Sequence, residues 1–184
     1  MEYTRFLLSG SGGQGVITMG ILLAETASLQ SGLNAIQSQS YGPEARGGAT
    51  RCDVLISSKP IYYPKVQTAN AMVALTDQAL ARYIQYLQPG ALLLTDSHFV
   101  KPTGRIDAEH YALPMYEKVM ETFGKPQVFN ICVLGALLQL TGVVAPSALE
   151  KTLAERFDAR FQENNKKALA LGIELAKQAA VEIC

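Results

Sequence analysis

Gly10-Ser11-Gly12-Gly13-Gln14-Gly15 lies between an apolar run, Phe6-Leu7-Leu8, and a long helical pattern, Val16 to Leu29. A strand that breaks into glycines and then opens a helix is a distinctive arrangement. Glycines let the backbone turn tightly and approach a ligand with no Cβ in the way. The first turn of the helix offers N–H groups without intrahelical partners, together with a partial positive charge. The combination favours a phosphate or pyrophosphate.

Working outward, Tyr3–Ser9 reads as a first strand and Gly13–Gln30 as a helix with a stripe of Ile17, Ile21, Ala24, Ala27 and Leu29. Gly32 turns it into a short second strand, Leu33–Ser38. Gln39 to Gly48 is a polar, glycine-rich connection, and Ala49–Ser57 a third strand, followed by a short extended piece at Ile61–Tyr63. Ala71–Thr76 is an unbroken apolar run of strand length, as in a strand covered on both faces. Asp77 starts a helix to about Leu87, which Pro89-Gly90 stops. Ala91–Thr95 and Arg105–His110 read as strands and Pro114–Phe123 as a helix ended by Gly124. Beyond it the pattern is helical: Phe129–Leu140, Pro146–Phe157 and Gln162–Ile183, the second with a Ser147-x-x-Glu150 capping-box signature. Strands alternating with helices predict an α/β fold. The expected architecture is a Rossmann-like, mostly parallel sheet flanked by helices, with a helical C-terminal third. No repeat or linker divides the chain, so residues 1–184 are read as a single domain.

The chain of 184 residues has 48% hydrophobic and 17% charged residues, as in an ordinary globular domain. Sixteen Lys and Arg balance sixteen Asp and Glu, so no global field steers it to nucleic acid or anionic lipid. Cys52, Cys132 and Cys184 form no metal or iron–sulfur spacing and read as reduced thiols of a cytoplasmic protein. From Pro126 to Leu149 no residue is charged. Asn130, Gln139 and Thr141 interrupt the run, and Gly142 ends the helix after about 13 residues, short of the roughly 20 that span a bilayer. A buried core helix is expected there.

Gly10-x-Gly12-x-x-Gly15 has the spacing of a dinucleotide fingerprint. A nicotinamide site also wants an acidic residue about 20 positions later to hold the ribose hydroxyls. Asn34-Ala35-Ile36-Gln37-Ser38-Gln39 offers none, so a stand-alone dehydrogenase loses its main support. No Lys-Ser/Thr pair follows the glycines, so the loop is not a Walker A either. The residues leave two readings open: an anion or cofactor seat, or a tight strand–helix turn that only permits close packing.

A second motif, Ser40-Tyr41-Gly42-Pro43-Glu44-Ala45-Arg46-Gly47-Gly48, adds a ring, a carboxylate and a guanidinium among three glycines. By strand order it leaves the second strand at the end of the sheet where the first glycine loop lies and where open α/β sheets bind ligands. Arg46 could fork onto a phosphate or carboxylate, and Tyr41 could line a wall. Equally, Glu44 and Arg46 could pair with each other or a partner and only order the loop. Asp96-Ser97-His98 suggests a hydrolase triad, but neighbours on an extended chain point to opposite faces and cannot form the relay. His98 and His110 are read as surface or hydrogen-bonded structural side chains.

Taken together, GSGGQGVITMGILLAETA and SYGPEARGGATRCDVLIS resemble the gamma subunit, or gamma domain, of 2-oxoacid:ferredoxin oxidoreductases. Phe129-Asn130-Ile131-Cys132-Val133-Leu134-Gly135-Ala136 is similar to that family's N-x-x-x-L-G-A helix, and Asn165-x-x-Ala168-x-x-x-Gly172 to its C-terminal helix. The form of the second loop resembles the 2-oxoglutarate branch most; pyruvate, branched-chain and indolepyruvate branches have related loops. The resemblance implies a non-catalytic subunit of an enzyme that converts a 2-oxoacid and coenzyme A to acyl-CoA and carbon dioxide, reducing ferredoxin. It implies thiamine diphosphate on alpha and beta partner subunits, and iron–sulfur clusters on partners that include a ferredoxin-like delta subunit. It implies that this chain helps hold coenzyme A and is inactive alone. Gly10, Gly12, Gly13, Gln14 and Gly15 would then form one wall of the pocket. Tyr41, Gly42, Glu44, Arg46, Gly47 and Gly48 would form the other wall or the inter-subunit contact. Exposed docking surface makes self-association of the isolated chain a further expectation. The alternatives are a stand-alone nucleotide-binding protein and a purely structural subunit.

Overall fold

The computed structural model describes residues 3–39 and 48–182. Strand β1 (Thr4–Gly10) leads through the glycine loop into helix α1 (Val16–Glu25), which continues as one π-helical segment, Thr26–Gln30. β2 (Asn34–Gln39), β3 (Thr50–Ser57) and β4 (Ala69–Ala74) follow, then α2 (Asp77–Tyr83), β5 (Leu87–Asp96), β6 (Ala108–Leu113) and α3 (Met115–Phe123). The remainder is helical: α4 (Phe129–Thr141), α5 (Pro146–Arg156) and α6 (Ala159–Glu182). Among the described residues, no helix is long and apolar enough to cross a membrane.

Among the described residues six strands form one sheet in the order β2-β3-β1-β4-β5-β6. β1, β4, β5 and β6 pair in parallel, whereas β3 runs antiparallel to both β1 and β2. The sheet is therefore mixed, though largely parallel. Alternate residues of each strand face opposite sides. Phe6, Leu8, Val54 and Val73 pack under α1, α4 and α6, while Leu7, Leu55, Met72 and Leu93 pack under α2, Val66 and Val100.

Close approach of α4 and α6 is made by two glycines. A Cβ on Gly135 would overlap the Leu169 carbonyl oxygen, and one on Gly172 would overlap that of Cys132. Both glycines belong to the two C-terminal motifs singled out in the sequence, so those motifs mark a helix crossing. Gly142 ends α4 in the left-handed conformation (φ 60°) after 13 residues, as expected.

Several local expectations are corrected. Pro89-Gly90 does not end a helix: α2 stops at Tyr83, and β5 runs through the pair. The register with β4 jumps from Ala69↔Leu87 to Ala71↔Leu92, so a bulge absorbs residues that would otherwise break the ladder. No strand forms at Ile61–Tyr63. Ser147 is not the cap of α5; Ala145 is, because Pro146 occupies the first helical position with its φ already set. The first helix begins at Val16 rather than Gly13, since Gly13 and Gly15 both have positive φ.

Candidate functional site

Helix α1, which follows β1, packs on one face of the sheet, and α2, which follows the adjacent parallel β4, packs on the other. The crossovers diverge between these two strands, and such a switch point opens a crevice at the carboxyl ends of the strands. The first glycine loop sits at that crevice. Its geometry follows from three residues. Gly13 (φ 89°) and Gly15 (φ 74°) take left-handed backbone, and Gly15 caps α1 with no side-chain hydrogen bond.

Gln14 folds back across the crevice. Its Oε1 accepts the Ser11 N–H at 2.7 Å and its Nε2 donates to the Leu75 carbonyl at 3.1 Å, tying the loop to the end of β4. A Cβ on Gly10 would lie 2.6 Å from Gln14 Oε1, so this glycine makes room for the clasp rather than for a ligand. Gly12 and Gly13 differ: nothing stands within 4 Å of a Cβ built on either. The open floor of the loop is thus Gly12–Gly13, beside the start of α1, whose first turn carries no acidic residue.

A wall that the sequence did not connect to this loop comes from the α3–α4 link. Pro126, Gln127 and Asn130 close a pocket of about 190 Å³ against Gly13, Gln14 and Gly15. Asn130 sets the spacing, because a Cβ on Gly15 would stand 2.8 Å from its Nδ2. In the sequence Asn130 is a polar break in an apolar run and the first residue of the N-x-x-x-L-G-A motif, and neither signal connects it to the glycine loop.

Of the second motif, Tyr41, Gly42, Glu44, Arg46 and Gly47 lie outside the described residues. Its flanks are placed. Gly10 pairs with Thr50 and Gln39 with Cys52, so both ends of the 40–47 connection reach the rim that carries the glycine loop. Gly48 (φ 83°) packs against Gln78 of α2 at the same rim.

The family described as pyruvate ferredoxin/flavodoxin oxidoreductase matches residues 5–175. The chain belongs to this family. It is 38% identical over 173 residues to the 2-oxoglutarate synthase subunit KorC of Methanocaldococcus jannaschii, covering 93% of this chain and 92% of that one. The gamma subunit of a keto/oxoacid ferredoxin oxidoreductase from Geobacter sulfurreducens superposes with a TM-score of 0.90 at 38% identity, over 97% of this chain and 99% of the other. The 2-oxoglutarate:ferredoxin oxidoreductase of Magnetococcus marinus shares the fold, with a TM-score of 0.86 at 23% identity, over 97% of this chain and 32% of that one. The chain is a gamma subunit of a multi-subunit 2-oxoacid:ferredoxin oxidoreductase, and it is more similar to the 2-oxoglutarate synthase subunits than to the pyruvate synthase subunit of Methanothermobacter marburgensis, at 28% identity.

Asp96, His98 and His110 of this gamma subunit hold contacts within the fold. Asp96 is fully buried; its carboxylate accepts the backbone N–H groups of His98 (3.0 Å) and Tyr116 (2.7 Å), knotting the end of β5 to α3. Burial raises its pKa, and those two N–H donors oppose the rise. His98 packs against Phe99 and Tyr116 with its Nδ1 3.2 Å from Glu117. His110 lies 2.8 Å from the Thr95 hydroxyl, and partial burial lowers its pKa. Burial pushes the thiols of Cys52 and Cys132 up to about 11 and about 12. Among the described residues no group of three or more His, Cys, Asp or Glu could hold a metal ion.

Proposed function

We propose that this gamma subunit seats the pyrophosphate of coenzyme A on Gly12 and Gly13, at the start of α1 where no side chain caps the helix, in a complex that acts on 2-oxoglutarate. The observation that carries the reading is the open floor at the switch point: two glycines with clear space above them, next to a first turn free of acidic side chains. The Magnetococcus marinus enzyme of the same fold was solved with 2-oxoglutarate, coenzyme A and succinyl-CoA bound, which supports both halves of the proposal. In this reading Gly15, Gln14 and Gly10 build the seat without touching the ligand. The 40–47 connection, with Tyr41, Glu44 and Arg46, supplies the second wall or the contact to the alpha and beta subunits. Thiamine diphosphate and iron–sulfur clusters belong to those partners and to a ferredoxin-like delta subunit. This chain orients coenzyme A and supplies no acid, base or electron carrier.

The test is calorimetry of coenzyme A on the assembled complex, comparing wild type with Gly12→Val and Arg46→Ala. Gly12→Val should weaken binding at least ten-fold and Arg46→Ala measurably. Unchanged affinity in both would leave a subunit whose glycine loops make only protein contacts, the reading that the Gln14 clasp favours. The isolated chain, given 2-oxoglutarate, coenzyme A and ferredoxin, should not turn over.

A further inference from the structure

Beyond the glycine pocket, and sharing Gln127 and Asn130 with it, lies a larger cavity of about 540 Å³ between α1, the start of α4 and the α5–α6 turn. Pockets of that size hold small organic molecules, and the useful ones combine apolar walls with a few convergent polar groups. Here Phe123, Phe157 and Phe161 supply ring faces and edges, while Lys125 and Arg160 supply positive charge. No carboxylate is among its lining residues. Arg160 lies over the Phe161 ring at 4.7 Å, and its exposed pair with Asp158, at 3.9 Å, is long enough to leave the guanidinium available.

Asn165 is the decisive group. It is 4% exposed, it lines this cavity, and its Nδ2 has no hydrogen-bond partner among the described residues. A buried donor left without an acceptor costs about 1–3 kcal/mol; Asn165 Nδ2 is itself shut off from solvent, so a turn of the amide toward the cavity brings it to an acceptor on a guest. The rings select a flat apolar body, the two cations a negative group, and the amide an acceptor on the body itself.

We propose that this cavity binds an organic anion with a flat apolar body, held between the phenylalanines, with its charge at Lys125 and Arg160 and an acceptor at Asn165. The cavity and its charges stand apart from the pyrophosphate seat, and only the nucleotide arm rests on the coenzyme A reading. One chemistry has two sources: a nucleotide end, or a free aryl carboxylate.

The test titrates the full chain with adenosine 3′,5′-bisphosphate and, separately, with indole-3-acetate, following the Asn165 side-chain amide by NMR and the heat by calorimetry. One probe should saturate and shift the Asn165 signals. Arg160→Gln and Phe161→Ala, both at exposed positions, should each weaken it at least five-fold with the melting temperature unchanged. The probe that saturates identifies the source. Absence of binding by both probes at millimolar concentration, shifts confined to Gly12–Gly15, or wild-type affinity in both variants would overturn the proposal. So would loss of the probe on assembly with partner subunits, which would mean that a protein side chain fills the cavity. A Gly12→Val chain that loses coenzyme A yet keeps the probe separates this site from the glycine pocket.

Discussion

At Gly12 a side chain would enter open space, whereas at Gly172 it would collide with the backbone of a neighbouring helix. One residue type thus serves two regions for opposite reasons. In the α4–α6 crossing, glycine is what lets two backbones meet, and the missing Cβ is already occupied by protein. In the loop after β1, the missing Cβ leaves a gap that the protein does not fill. A glycine motif in a sequence therefore carries no function until its surroundings are known. Here the glycines of the two C-terminal motifs are packing devices, and only part of the first glycine motif leaves open space.

The largest expected effect falls on the crossing. Gly172→Ala should destabilise the chain by about 2–3 kcal/mol, since overpacking against backbone is relieved only by moving a helix. Scanning calorimetry should show a melting temperature lower by roughly 5–10 °C for a chain of this size; an unchanged value would mean that the helices are free to part. The same variant should speed the reaction of Cys132 with a thiol reagent, because this cysteine lies under the crossing.

The buried thiols give a pH test of the crossing, through Cys132 of α4, and of the β3–α1 contact, through Cys52. Cys52 and Cys132 hold their protons to about 11 and about 12, against an ordinary value of 9.0. The unfolded chain releases those protons first, so it binds fewer protons than the folded one and stability falls as pH rises. The loss should begin near pH 9 and continue to about 11–12. Denaturant titrations across that range should show the slope shrink in Cys132→Ala; an identical slope would mean that the thiols ionise freely.

A smaller effect is expected at the clasp. Gln14→Ala removes two hydrogen bonds and should cost about 1–2 kcal/mol, while also weakening coenzyme A binding by the complex. The smallest change in stability is expected at Gly12→Val, whose melting temperature should stay within about 2 °C of wild type while coenzyme A affinity falls. A melting temperature as low as that of Gly172→Ala would erase the contrast between the two regions.

What the sequence disclosed was local. The β1–loop–α1 unit was legible because its signals are contiguous: an apolar run, glycines, then a helical stripe. The direction of β3 was not, since antiparallel pairing with β1 depends on partners rather than on its own residues. Pro89-Gly90 carried a strong stop signal that a bulge between β4 and β5 overrode. Ser147 matched a capping pattern that Pro146 pre-empted. Asn130 was visible as a polar interruption and as part of a motif, yet nothing in linear order joins it to a loop more than a hundred positions earlier. Only the packing of α4 on the sheet does so.

The Gln14 amide bridging Ser11 and Leu75 has one further consequence. It fixes the loop's shape before any ligand arrives, so a guest need not forfeit conformational freedom on the protein's behalf, and more of the contact energy remains for discrimination between guests.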